Sequence, residues 1–245
     1  MGLLYVVGLG PGKIEGMTLE AKQALDASSV ICGYTVYVDL LRETYPDKEY
    51  LTTPMRREVE RCNMALEAAA SGATVAMVCS GDAGIYGMSG LIYELSSDYP
   101  EVEIVVVPGI TAAISGAAVL GAPLMNDFCV ISLSDLMTPW DVIEQRLHGA
   151  GAGDFAVALY NPMSHKRVDH LAKACDILLQ YRSPDTVCGW VKNIGRDQQA
   201  STLLTLAELR DATVDMFTTV FIGNSQTRDL RGHMVTARGY QADGR

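Results

Sequence analysis

Short apolar, β-branched runs alternate along the first half of the chain with stretches whose apolar positions recur at helical spacing. Residues 3–7, 30–32, 73–78 and 102–107 read as strands. Between them, the pattern predicts a helix from the Thr18 cap through Ala27, with Glu20 in its first turn, and further helices over 57–70, 85–97 and 111–120. Strands alternating with helices imply βαβ units and a parallel sheet. Gly121-Ala122-Pro123 punctuates the chain and sets an expected boundary between a domain over 1–121 and one over 122–245. Beyond it, 128–133, 155–160, 186–191 and 218–222 read as strands, with helices after Pro139 and over 168–180. Residues 194–216 carry mixed signals. Neither an internal repeat nor a low-complexity tract is visible.

Composition narrows the class. The chain has 245 residues, enough for one large or two small cores, and is 49% hydrophobic and 20% charged. Its longest apolar stretches are strand-sized, well short of the roughly 20 residues that span a bilayer. No basic region precedes the first strand, so a signal peptide is not expected and a cytoplasmic location is. Cys32, Cys62, Cys79, Cys129, Cys175 and Cys188 are scattered through apolar runs without a C-x-x-C pair. They read as buried reduced thiols, not as metal ligands. A formal charge of −10 makes the surface a poor partner for phosphate backbones, so neither nucleic acid nor membrane is an expected partner. A local basic cleft remains open to Lys13, Arg56, Arg57, Arg61, Lys166, Arg167, Lys192 and Arg196.

Candidate chemistry sits at strand ends. Asp82, in Ser80-Gly81-Asp82-Ala83-Gly84, lies just past one apolar run, where open parallel sheets bind ligands. Gly8-Leu9-Gly10-Pro11-Gly12-Lys13 fails both nucleotide tests. Lys13 replaces the last glycine of a dinucleotide fingerprint, and Val7 and Ile14 occupy two required positions of a phosphate loop. Pro11 also removes an N–H that a phosphate cradle would use. Pro108-Gly109-Ile110-Thr111-Ala112 offers a hydroxyl and free helix-start N–H groups. Two polar clusters follow later strands: Ser132-Leu133-Ser134-Asp135 with Thr138-Pro139-Trp140, and Tyr160-Asn161-Pro162 with Ser164 and Arg167. Each also suits plain turn chemistry. His148, His165, His170 and His233 form no ligand pattern, and no hydrolase triad can be specified from spacing.

Taken in order, these stretches resemble the tetrapyrrole methylase family over nearly the whole chain. Residues 122–129, 131–140 and 159–167 are similar to the branch of precorrin-3B C-17 methyltransferases, and residues 55–62 and 80–88 to its anaerobic counterparts. The resemblance implies two α/β domains, a Rossmann-like parallel-sheet one and a mixed-sheet one, with S-adenosylmethionine and substrate in the cleft between them, and a homodimer. It implies methylation at carbon 17 of (cobalt-)precorrin-3 with contraction of the macrocycle, in cobalamin biosynthesis, cobalt travelling as part of the substrate. Carried over by position, Gly81, Asp82, Ile85, Tyr86, Thr111 and Ala112 contact the cofactor, with Tyr160 and Asn161 approaching its adenine. The glycine loop with Pro11 lines the substrate cleft. Arg56, Arg57, Arg61, Thr138 and Arg167 are candidates for binding a polycarboxylate substrate, and Ser132, Ser134 and Asp135 for steering the ring contraction. Related chains often carry Gly-Asp-Pro where this one has Gly81-Asp82-Ala83, which keeps the carboxylate but not a proline-fixed turn. The alternatives are a methyltransferase acting on another precorrin carbon, RNA ribose or the diphthamide precursor, and a non-catalytic nucleotide-binding module. Lys13 counts against an oxidoreductase.

Overall fold

The computed structural model describes residues 2–240. The chain divides into two compact units, Met1–Ala112 and Ala113–Arg245.

The first unit contains β1 (Gly2–Gly8), α1 (Leu19–Ala27), β2 (Val30–Tyr34), α2 (Thr35–Asp39), β3 (Glu49–Thr53), α3 (Glu58–Ala70), β4 (Thr74–Cys79), α4 (Ser89–Leu95) and β5 (Val102–Val107). Its five strands run parallel in the order β3-β2-β4-β1-β5. Strand alternation sorts the core onto two faces. Leu4, Val6, Val75 and Met77 pack with Cys62, Leu66 and Ile92 on one face. Val7, Ala76 and Val78 pack with Ala21, Leu25 and Val38 on the other. Burial on both faces explains why these strands read as unbroken apolar runs. Thr18 caps α1, its Oγ1 accepting from the Ala21 N–H at 3.0 Å. Three elements differ from expectation, the first being α2, a five-residue helix too short to show a helical spacing. β3 did not stand out, because an edge strand of sequence Glu-Tyr-Leu-Thr-Thr lacks that apolar run. α4 begins at Ser89 instead of Ile85, since residues 81–88 form a loop in which Tyr86 takes φ 56°.

The second unit contains α5 (Ala112–Leu120), β6 (Gly121–Ala122), β7 (Phe128–Ser132), α6 (Trp140–Ala152), β8 (Ala156–Tyr160), α7 (His170–Leu178), β9 (Val187–Lys192), β10 (Ala200–Thr205), α8 (Leu206–Arg210), β11 (Thr218–Ile222), β12 (Thr227–Asp229) and β13 (Met234–Thr236). The main sheet has the order β10-β9-β11-β8-β7, with β7 parallel to β8 and the other pairs antiparallel. β12, β13 and β6 make a small second sheet. α5 groups with this unit because Ala113, Ala117 and Leu120 pack against Ala158, Val191 and Phe221. The mixed region 194–216 resolves into β10 and α8, joined by a capping box between Thr205 and Glu208. No helix among the described residues is long and apolar enough to cross a membrane.

Candidate active site

In the first unit, a parallel sheet puts every carboxyl end on one edge, and β4, β1 and β5 are direct neighbours there. Their following loops meet backbone to backbone. Gly10 and Gly81 exchange N–H···O bonds of 2.9 Å in both directions, and the Leu9 N–H donates to the Cys79 carbonyl at 2.8 Å. The approach leaves no room for side chains: a Cβ on Gly8 would lie 2.6 Å from Gly109 N and 2.7 Å from Gly81 O. This is the use of the glycine-rich first loop, which has no phosphate pattern.

Asp82 ties these loops together. Its Oδ1 accepts from the N–H groups of Gly84 (2.8 Å) and Ile85 (3.0 Å), and its Oδ2 from that of Gly109 (2.9 Å). Charge-assisted bonds of this kind are about twice as strong as neutral ones. The carboxylate expected to grip a ligand therefore also shapes the loops. Gly81, at φ +68°, brings Thr111 and Ala112 close: a Cβ there would sit 3.5 Å from Thr111 Cα and 3.8 Å from Ala112 N. Ile85 and Tyr86 are exposed beside them, and Thr111 is buried. Pro11 is half-buried, its ring seated against Gly16. Burial pushes the Cys79 thiol, at the end of β4, up to about 11, so no thiolate nucleophile forms here.

The arginines after β3 lie on the same edge but two strands from β4. Arg56 is exposed at φ 69°, and Arg57 pairs with Glu60 at 2.8 Å. Arg61 departs from the expectation that it binds substrate. It is buried, and its guanidinium donates to Thr53 Oγ1 (2.9 Å) and the Pro54 carbonyl (3.0 Å), fixing the loop that carries Arg56 and Arg57. An open hollow of about 620 Å³ runs along the outer face of α3, lined by Arg56, Arg57, Glu58, Glu60, Asn63 and Glu67 among others. Three carboxylates and two guanidiniums thus share this hollow.

In the second unit, the carboxyl ends of β7 and β8 lie side by side, Ser132 in register with Tyr160. Leu133 N–H donates to the Tyr160 carbonyl at 2.9 Å. Ser132 Oγ accepts from Ser134 N–H (3.2 Å) and from the Asn161 side-chain amide (3.0 Å), with Asn161 at φ 53°. The Tyr160 hydroxyl accepts from Ala113 N–H at 2.6 Å, capping the start of α5. Thr138 is half-buried on the same loop as Asp135. Asp135 lies 3.8 Å from Arg167 Nη1 and 3.3 Å from His170 Nε2. The structure thus gathers Ser132, Ser134, Asp135, Tyr160, Asn161 and Arg167 at one edge, and adds His170. Spacing alone hid His170, since a test for metal ligands asks for a second histidine one helical turn away. Among the described residues, no group of three or more His, Cys, Asp or Glu is placed to hold a metal ion.

The family model for Tetrapyrrole (Corrin/Porphyrin) Methylases matches residues 3–210. A protein of Salmonella typhimurium named a probable cobalt-factor III C(17)-methyltransferase is 48% identical over 239 residues, covering 97% of this chain and 99% of that one. The crystal structure of the methyltransferase CobJ superposes with a TM-score of 0.88 at 38% identity, covering 97% of this chain and all of the other. At 19% identity, a uroporphyrin-III C-methyl transferase from Thermus thermophilus, complexed with S-adenyl homocysteine, shares the fold with a TM-score of 0.69 over 91% of this chain and 97% of its own. With the model matched along most of its length and a relative this similar from end to end, the chain belongs to the tetrapyrrole methylase family.

Proposed function

We propose that this protein is an S-adenosylmethionine-dependent methyltransferase that methylates carbon 17 of a cobalt-bearing tetrapyrrole, cobalt-factor III or cobalt-precorrin-3, with contraction of the macrocycle, in cobalamin biosynthesis. The observation that carries this reading is the 48% identity, along both chains, to a relative named for that methylation. The resemblance of residues 55–62 and 80–88 to the anaerobic branch favours the cobalt-bearing substrate over the metal-free one.

The loops after β4, β1 and β5 suit a cationic, amphipathic donor. Asp82 supplies a full negative charge, Ile85 and Tyr86 supply apolar and aromatic surface, and the absent side chain at Gly81 leaves space beside Thr111 and Ala112. S-adenosylmethionine brings a methyl group on a sulfonium, already activated for transfer. The chain's task is to align that methyl with the nucleophilic carbon and to keep water out. Gly81, Asp82, Ile85, Tyr86, Thr111 and Ala112 hold the donor in this reading, with Tyr160 and Asn161 on its adenine. Pro11, Arg56, Arg57, Thr138 and Arg167 contact the macrocycle and its carboxylates. Ser132, Ser134 and Asp135 orient the polar groups that move during contraction. No strong base is needed for methyl transfer itself, because an electron-rich macrocycle carbon attacks directly. A homodimer in the cytoplasm completes the proposal.

Anaerobic incubation with labelled S-adenosylmethionine and, in separate arms, cobalt-factor III, cobalt-precorrin-3 and metal-free precorrin-3B tests it. The expected result is one labelled methyl on a cobalt-bearing acceptor. Labelling of none of the three, with label passing instead to another precorrin, would overturn the assignment.

A further inference from the structure

Among the described residues, three side-chain nitrogens are buried without a hydrogen-bond partner, and two of them belong to residues that stand beside Asp135. These are Nε of Arg167 and Nε2 of His170. The third belongs to Arg182, whose guanidinium spends its other donors on the carbonyls of Gly223, Ala150 and Phe155. Buried donors left unpaired are rare, and each calls for a reason. Two on residues beside one carboxylate share a reason.

The surroundings of His170 specify which nitrogen is available. Its ring packs edge-on against Trp140, with centroids 4.8 Å apart. Nδ1 lies 3.2 Å from Asp169 Oδ1, and the other Asp169 oxygen holds Lys173 Nζ at 2.6 Å. Nε2 points instead at Asp135 Oδ2, 3.3 Å away but misaligned for a hydrogen bond. Arg167 Nη1 stands 3.8 Å from the opposite oxygen. The Asp135 side chain is 39% exposed, whereas those of His170 and Arg167 are 10% and 12% exposed. The carboxylate thus looks outward from the buried, unpaired Nε2 of His170 on one side and from Nη1 of the largely covered Arg167 on the other.

We propose that His170 is a positioning residue for the reaction. Together with Arg167 it forms a two-donor cradle that aims the Asp135 carboxylate at the macrocycle. The hydrogen bonds are loose in the free protein and close when substrate seats against Asp135, as catalytic hydrogen bonds commonly tighten in the Michaelis complex. Donation from both sides restricts the carboxylate to one rotamer. The charged groups around His170 are Asp135, Asp169, Arg167 and Lys173, so its ring sits between two carboxylates backed by two cations. The inference rests on the reading that Asp135 faces the substrate.

The test compares wild type with His170→Phe, His170→Gln, Asp135→Asn and the double variant His170→Phe/Asp135→Asn, assayed anaerobically on the cobalt-bearing acceptor. Phenylalanine keeps the ring against Trp140 and removes both nitrogens, whereas glutamine restores a donor near the Nε2 position. His170→Phe is expected to lower kcat about tenfold or more, with KM for the methyl donor and the melting temperature little changed. His170→Gln recovers most of the loss. In the Asp135→Asn background, His170→Phe causes no further loss, because residues acting through one another are non-additive. Wild-type kcat in His170→Phe, or losses that multiply in the double variant, would overturn the proposal. Should His170→Phe fail to fold, His170→Gln against His170→Asn carries the same contrast, since asparagine reaches only the Nδ1 position. A wild-type enzyme that methylates no cobalt-bearing acceptor would defeat the functional reading itself, an outcome separate from these.

Discussion

At the carboxyl edge of the parallel sheet, the ends of β1, β4 and β5 touch backbone to backbone, with one carboxylate as their tie. At the carboxyl edge of β7 and β8, side chains make the contacts: Asn161 to Ser132, Tyr160 to Ala113, Asp135 beside Arg167 and His170. The difference follows from the strands. Three neighbouring parallel strands converge on an edge where the loops can share space only as glycine. The mixed sheet leaves room for polar side chains, which then set the geometry. A backbone-held edge suits a common donor that must sit in one place. A side-chain-held edge suits a substrate-specific half, because its geometry changes one residue at a time.

Substitutions test this contrast, and the largest effect belongs to the backbone-held edge. Gly109→Ala would place a Cβ against the Gly81 carbonyl and 2.6 Å from the Gly8 backbone, so strands rather than side chains must move. A loss of about 3 kcal/mol or more in a denaturant melt is expected, with donor binding lost even where fold remains. A neutral Gly109→Ala would show that the loops are not packed as described. The next effect is Tyr160→Phe, which removes the acceptor for Ala113 N–H and leaves the ring. It should cost about 1 kcal/mol by the same melt. A much larger loss would mean that the second edge is as rigid as the first. The smallest concerns the Lys192–Asp215 pair (2.6 Å), at the end of β9. Burial pushes the Asp215 carboxyl up, but Lys192 and the Phe217 N–H outweigh it and hold the group below the usual carboxylate range. Its contribution is present above the unfolded-state value near 4 and disappears as pH falls through the lower folded value. Asp215→Asn should therefore lower stability slightly at neutral pH and flatten the acid limb, the two proteins converging at low pH. The side chain is 39% exposed, so the effect is small.

Much of the first unit was legible in the pattern of apolar runs because double-sided burial writes itself as Val, Ile, Leu and Ala in sequence. β3 was not, since an edge strand carries Glu49, Thr52 and Thr53. The strand-end position of Asp82 followed from the same runs. That its carboxylate would bind three backbone N–H groups did not, because one of those donors, Gly109, lies on another loop 27 positions away from Asp82. Arg61 misled because a lone arginine reads as surface charge. Its face was nonetheless visible: Arg61, Ala65 and Ala69 recur at four-residue spacing on the buried side of α3. His170 likewise shares the buried side of α7 with Ala174 and Leu178, but its pairing was not legible, as Asp135 lies on a different loop.

Calorimetric titration of S-adenosylhomocysteine into wild type and Asp82→Ala, each checked for fold by circular dichroism, tests the central claim most directly. Saturable binding is expected for wild type and at least tenfold weaker binding for a folded Asp82→Ala, a loss of about 1.4 kcal/mol or more. Equal affinity in a folded variant would contradict it.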